Sequence, residues 1–375
     1  MLQMLPCSVF RLQTMALRDD LTKEQEWLRS TPLENGPYAP FARKLRGEIQ
    51  QIIADLNNLI PDCKSQTALP QERLAFLRRR TNNLFAEALT LRSADFIRNG
   101  QFDRGMCLVA DKLLAELGRA VVFEVPHLST LAESDFFGSS ARVIRLRYPS
   151  VSIWELPVLG HEFGHSFGPE WRVQGAIQPR PYEWFRENSK LKPAIVADEY
   201  FCDLLATFLL GPAYAYMCIL QRFDPTNTVD NETHPSDLHR AWWVLRGLEL
   251  LAEMASPETA AHYKGIAATL RGFWEAYLSE STRAALSDTD RLDRASEELF
   301  AKMETGLPLA AYTDSGPAWG LVRQYNDGTP VTLTRDQLRH LLNAAWFIRA
   351  QDFADIGKTA RIETWAHELA RSAPL

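Results

Sequence analysis

Cysteine is scarce in this sequence, and what there is excludes two common uses of it. The five residues, Cys7, Cys63, Cys107, Cys202 and Cys218, are odd in number, scattered, and never in C-x-x-C spacing. That argues against a disulfide framework and against a thiolate zinc site, and for a reducing, cytoplasmic compartment. Positive charge is also lacking: 41 Lys and Arg against 47 Asp and Glu leave a net −6. Nothing electrostatic then favours nucleic acid or an anionic membrane surface as partner. Long apolar runs are missing too. The longest, Leu204 to Leu220, is interrupted by Gly211-Pro212 and reads as a buried helix that turns rather than a membrane span. Met1 to Leu17 has neither a basic leader nor a small-residue cleavage site, so it is not read as a signal peptide, and Met15 is an alternative start. There is no internal repeat, no low-complexity tract and little strand-like text.

What remains is mostly helix. Hydrophobic residues at 46% are enough for a sizeable core. Helical text runs from Asp19 to Pro61, with Leu45, Ile49, Ile52, Ile53, Leu56, Leu59 and Ile60 at helical spacing. A second helix is expected from Pro70 to Arg98 and a third from Phe102 to Leu117. Only Ala120 to Val125 and Ala141 to Tyr148 read as strands. Glu170 to Pro193 and Leu307 to Thr332 read as loops. Helices follow over Ala194 to Leu210, His239 to Leu286, from the Thr334–Gln337 capping box onward, and Ile356 to Arg371.

The chemistry concentrates at Gly160-His161-Glu162-Phe163-Gly164-His165, an H-E-x-x-H sequence in apolar helical text. A capping box at Ser152–Glu155 places the helix start between Ser152 and Leu156, and Gly168-Pro169 stops it. Residues four apart share a helix face, so His161 and His165 can point at one metal ion. Zn²⁺ at an open site takes three protein ligands and acidifies a bound water. Glu162 is placed to take that water's proton and deliver it to a leaving amine.

A third ligand is needed. Glu199 and Asp203 form E-x-x-x-D, again one turn apart, 34 residues (199 − 165) beyond His165. Glu199 would bind the metal, and Asp203 would accept a hydrogen bond from the outer nitrogen of a ligand histidine. Asp198 competes with Glu199, but only Glu199 shares a face with Asp203. The competing reading is a buried helix whose histidines are satisfied by the core. Buried carboxylates without partners make that reading costly.

H-E-x-x-H followed by E-x-x-x-D resembles the gluzincin branch of zinc metallopeptidases. The resemblance implies His161, His165 and Glu199 as ligands, Glu162 as general base and Asp203 behind the histidines. Farther on, Glu232-Thr233-His234-Pro235-Ser236 and Arg240 are similar to the Thr-His-Pro motif and following Arg of CAAX-type and stress-linked membrane zinc proteases. That similarity implies His234 as stabiliser of the oxyanion and Arg240 as a support. Against it stands a helix-flanking turn with Ser236 or Asp237 as cap, and His239 rivals His234 for the same role. The resemblance covers Val143 to Arg240, and the chain departs from those membrane proteases in having no transmembrane helix.

The expectation is therefore an α+β fold, mainly α. A zincin-like catalytic core at 119–240, with a small sheet, lies between helical regions at 19–118 and 241–375, after an extension at 1–18. The expected activity is zinc-dependent hydrolysis of peptide bonds in a peptide or protein substrate. A non-catalytic zincin-fold binding protein with a structural zinc is the alternative from another class, and hydrolysis of a non-peptide amide is a third.

Overall fold

A computed structural model describes residues 7–30, 39–61, 69–100, 103–123, 128–132, 136–138, 143–147, 152–172, 181–189, 191, 194–230, 234–280, 282, 289–352 and 355–374. Helix dominates, as the apolar spacing predicts. In chain order the elements are α1 (Cys7–Ser30), α2 (Ala39–Leu59), α3 (Leu69–Asn99), α4 (Met106–Ala120), β1 (Leu128–Ala132), β2 (Phe136–Gly138) and β3 (Val143–Arg147). There follow α5 (Val158–Phe167), α6 (Pro181–Asn188), α7 (Ala194–Leu210), α8 (Pro212–Met217), α9 (Asp237–Glu253) and α10 (Pro257–Tyr277). The chain closes with α11 (Thr289–Gly306), α12 (Gly316–Asn326), α13 (Leu338–Ala350) and α14 (Ile356–Ser372). Among the described residues, no helix is long and apolar enough to cross a membrane.

The chain forms two compact units, each built from two stretches. The first comprises residues 1–104 and 128–146. In it, α1, α2 and α3 bury one apolar stripe each. Leu45, Ile49, Ile52, Leu56 and Leu59 of α2 meet Leu74, Leu77, Leu84 and Leu91 of α3 and Phe10, Leu21 and Leu28 of α1. The 3.6-residue period that marks these helices in the sequence is the period that fills this core. Ile53 and Phe85 sit at its margin, only partly buried. The short strands run in the order β1-β3-β2, with β2 antiparallel to β3 and Phe137 opposite Ile144. Ile144 and Leu146 are buried, as the alternation over 141–148 predicts.

The second unit comprises residues 105–127 and 147–375 and contains α4 to α14. Its centre is α7, in which Leu204, Leu205, Ala206, Phe208, Leu209 and Leu210 are all buried. An apolar sequence all round is what a helix surrounded by others requires.

Five expectations need correction. Ala120 to Val125 is not a strand over its described part: Ala120 ends α4, and Val121 and Phe123 close the helix by donating to Leu117 O and Gly118 O. The stretch 170–193 is not all loop, because α6 occupies Pro181–Asn188. Within 307–332, Gly316-Pro317 opens α12 instead of breaking a chain of turns, since Pro in the first turn of a helix lacks only an N–H that would have no intrahelical partner there. The Ser152–Glu155 box does not cap α5. Residues 152–157 form successive turns, and α5 begins at Val158, after Pro157. The Glu155 carboxylate instead accepts from Arg222 Nη1 at 3.0 Å. The Thr334–Gln337 box is displaced in the same way. Thr334 N does donate to Gln337 Oε1, but the α13 N-terminus is capped by Glu116, which accepts from Leu338 N at 2.8 Å and Arg339 N at 3.2 Å.

Candidate metal centre

The H-E-x-x-H residues lie on α5 and the E-x-x-x-D residues on α7, and these two helices pack very closely. Glycine permits the approach. A Cβ at Gly164 would fall 2.9 Å from Cys202 Sγ and 3.0 Å from Cys202 Cα, and one at Gly160 would fall 2.7 Å from Leu210 Cδ1. Cys202, between Glu199 and Asp203, is the small buried surface on which α5 rests. Glu199 and Asp203 flank this contact, so both are delivered to the histidine face of α5.

His161 Nε2 lies 3.2 Å from His165 Nε2 and 3.3 Å from Glu199 Oε2, and His165 Nε2 lies 3.5 Å from Glu199 Oε1. The ligand atoms of His161, His165 and Glu199 all lie within 4.8 Å of one another. Glu199 Oε2 is buried without a hydrogen bond. Zinc bonds of about 2.1 Å in tetrahedral array put ligand atoms about 3.4 Å apart. Two nitrogens and a carboxylate converging at 3.2–3.5 Å, with an oxygen left over, thus fit a divalent cation in size and donor type.

Behind the histidines, Asp203 is wholly buried, at 0% exposure. Its Oδ1 accepts from His161 Nδ1 at 2.8 Å, from Tyr214 Oη at 2.6 Å and from Arg240 Nη2 at 2.8 Å; its Oδ2 accepts from Arg240 Nε at 2.8 Å. With Nδ1 donating to Asp203, the lone pair of a neutral His161 sits on Nε2, toward His165 and Glu199. Burial would raise the Asp203 pKa, but the Arg240 guanidinium and His161 outweigh it and hold the carboxyl well below the usual range. Burial lowers the His161 pKa, but Asp203 and Glu199 outweigh it and push it up to about 10. Burial, with His161 beside it, brings His165 down to about 4. For Glu199 burial works upward, and contact with His161 brings it down to about 2.

Asp198, the competitor for the third ligand, is turned elsewhere, 2.8 Å from Arg186 Nε. Glu162 is buried on α5. His234 comes near the centre with its side chain 52% exposed and Nε2 3.6 Å from Glu199 Oε2. Glu232 and Thr233 of its motif lie outside the described residues. His239 does not join them: its Nδ1 lies 2.9 Å from Ser236 Oγ and 3.2 Å from Asp230 Oδ1. Ser236 is indeed the N-cap of α9, so the capping reading and the proximity of His234 are both true of this segment. Arg240, expected as a support, is the bidentate partner of Asp203. Tyr214 is core, but its hydroxyl joins the network, which no local pattern signals.

Comparison with known proteins finds no matching family model, no matching curated protein and no matching solved structure.

Proposed function

We propose that the chain is a zinc-dependent peptidase of the gluzincin type, hydrolysing peptide bonds in a peptide or protein substrate. The observation that carries the proposal is the convergence of His161, His165 and Glu199 on one small volume, with Asp203 behind His161. His161, His165 and Glu199 would hold the ion, and zinc held there would supply Lewis acidity toward a substrate carbonyl and a water. Glu162, adjacent to His161 on α5, acts as the base: its carboxylate takes the proton of the attacking water and passes it to the leaving amine nitrogen. His234, half exposed beside the cluster, donates to the carbonyl oxygen as negative charge develops there. Asp203, buried and held ionised by Arg240, keeps His161 in the tautomer that leaves Nε2 free to ligate.

Two measurements test it. Metal analysis should find one zinc per chain in the wild type and none in His161→Ala or Glu199→Ala. Glu162→Gln should keep its zinc and lose hydrolysis of unfolded substrates. Wild type that takes up no zinc, or Glu162→Gln that cleaves at the wild-type rate, sinks the assignment. Full zinc with intact peptides and turnover of a small amide would move the substrate to a non-peptide amide.

A further inference from the structure

Packing alone does not require a hydroxyl at Tyr214. The residue is 1% exposed, in the first turn of α8, and a phenylalanine ring would fill the same volume. Its oxygen nevertheless reaches back to Asp203 Oδ1 at 2.6 Å and lies 3.4 Å from His161 Nδ1.

The break between α7 and α8 sets that reach. Gly211 takes φ 58°, a conformation that side chains disfavour, and Pro212 starts the next helix. The polar groups exposed by the break are met from α13. Asn343 Nδ2 donates to Leu210 O at 2.9 Å, and its Oδ1 accepts from Ala213 N at 2.9 Å, bridging the break from both sides. Arg339 Nη1 donates to Leu209 O at 3.2 Å. Such a clamp fixes the direction in which α8 leaves, and hence where the Tyr214 hydroxyl points.

We propose that Tyr214 is a positioning residue of the metal centre. Its hydroxyl holds Asp203 Oδ1 in the orientation that receives His161 Nδ1–H, and so keeps His161 Nε2 aimed between His165 and Glu199. Arg240 grips both oxygens of Asp203, but Oδ1 is shared with His161 and is sealed from the surface. Without the tyrosine donor, a fully buried oxygen loses a partner and the carboxylate turns to recover one. The inference rests on the metal-centre reading above.

Zinc is titrated into metal-stripped full-length protein against a competing chelator, for wild type, Tyr214→Phe and Tyr216→Phe. Tyr216 stacks on Trp346 instead and controls for loss of a buried hydroxyl as such. The expected result is zinc binding weakened about 10- to 100-fold in Tyr214→Phe only. Metal-free Tyr214→Phe should keep the helical circular dichroism of wild type, so that the weakening reads the centre and not loss of fold. Wild type that binds zinc alongside Tyr214→Phe that binds it as tightly overturns the positioning role and leaves the metal centre standing. Wild type that binds no zinc overturns the metal centre itself. Should Tyr214→Phe not fold, 3-fluorotyrosine placed at 214 alone keeps the shape and strengthens the donor. Tighter zinc binding then supports the proposal, and unchanged or weaker binding overturns it.

Discussion

Four donated hydrogen bonds reach the Asp203 carboxylate, two of them from Arg240, in a place with no solvent. Removing one member of such a buried pair strands the other charge, which costs about 3–5 kcal/mol. Arg240→Ala should therefore lower the free energy of unfolding by that much, which urea unfolding measures. A second residue-scale prediction lies away from the metal. His340 packs against Tyr312, its Nδ1 3.0 Å from the phenol oxygen, and burial, with Arg339 beside it, lowers its pKa from 6.5 to about 4. The folded state thus holds His340 neutral while the unfolded chain protonates it below about 6.5. Its contribution is fully present above pH 6.5 and is lost as pH falls through about 4. Unfolding of His340→Gln followed over this window should show a shallower decline in stability than wild type; parallel curves would contradict the assignment. The candidate ligand residues are legible in sequence, because H-E-x-x-H and E-x-x-x-D are local statements about one helix face each. Tyr214 is not, because the hydroxyl serves a residue on the preceding helix across a break.

At the scale of elements, the close approach of α5 and α7 depends on Gly160 and Gly164. Gly164→Ala puts a methyl 3.0 Å from Cys202 Cα, and backbone cannot yield as a side-chain tip can. The helices must part, at a cost of about 1–3 kcal/mol, and Glu199 moves away with α7. Weaker zinc binding and a lower midpoint should appear together. Gly265 in α10 is the contrast, since a Cβ there meets nothing within 4 Å. Gly265→Ala should stabilise by about 0.5–1 kcal/mol through helix propensity alone. Helix starts were the least legible elements. Glu155 and the Thr334–Gln337 box look like caps in the sequence, yet Glu155 pairs with Arg222 and α13 is capped by Glu116, more than two hundred positions away. A distant carboxylate can serve an N-terminus as well as a local one, and no window of sequence contains it. Gly316-Pro317 shows the opposite ambiguity, since the residues that break a helix also open one.

For the whole molecule, the division into units follows neither the order of the chain nor a single linker. The first unit takes 128–146 from the middle of the sequence, and every residue of the candidate metal centre lies in the second. A chain lacking 1–104 should accordingly keep its zinc site while 128–146, deprived of the helices it belongs with, becomes the first place cut by protease. Mass spectrometry of the fragments with metal analysis checks both halves; loss of zinc in the truncated chain would show that the centre needs the first unit. Within the second unit, α4 is tied to both C-terminal helices by buried charges. Lys112 Nζ donates to Arg371 O and Ala373 O at 2.6 Å, ending α14, while Glu116 begins α13. By itself the sequence determined what is periodic or local: the helices, the faces they bury, and two pairs of polar side chains one turn apart, His161 with His165 and Glu199 with Asp203. Only the tertiary structure decided which helices meet, how closely glycines let them meet, and which distant donors complete Asp203. Those outcomes depend on volume and hydrogen-bond direction at contacts between residues far apart in the chain.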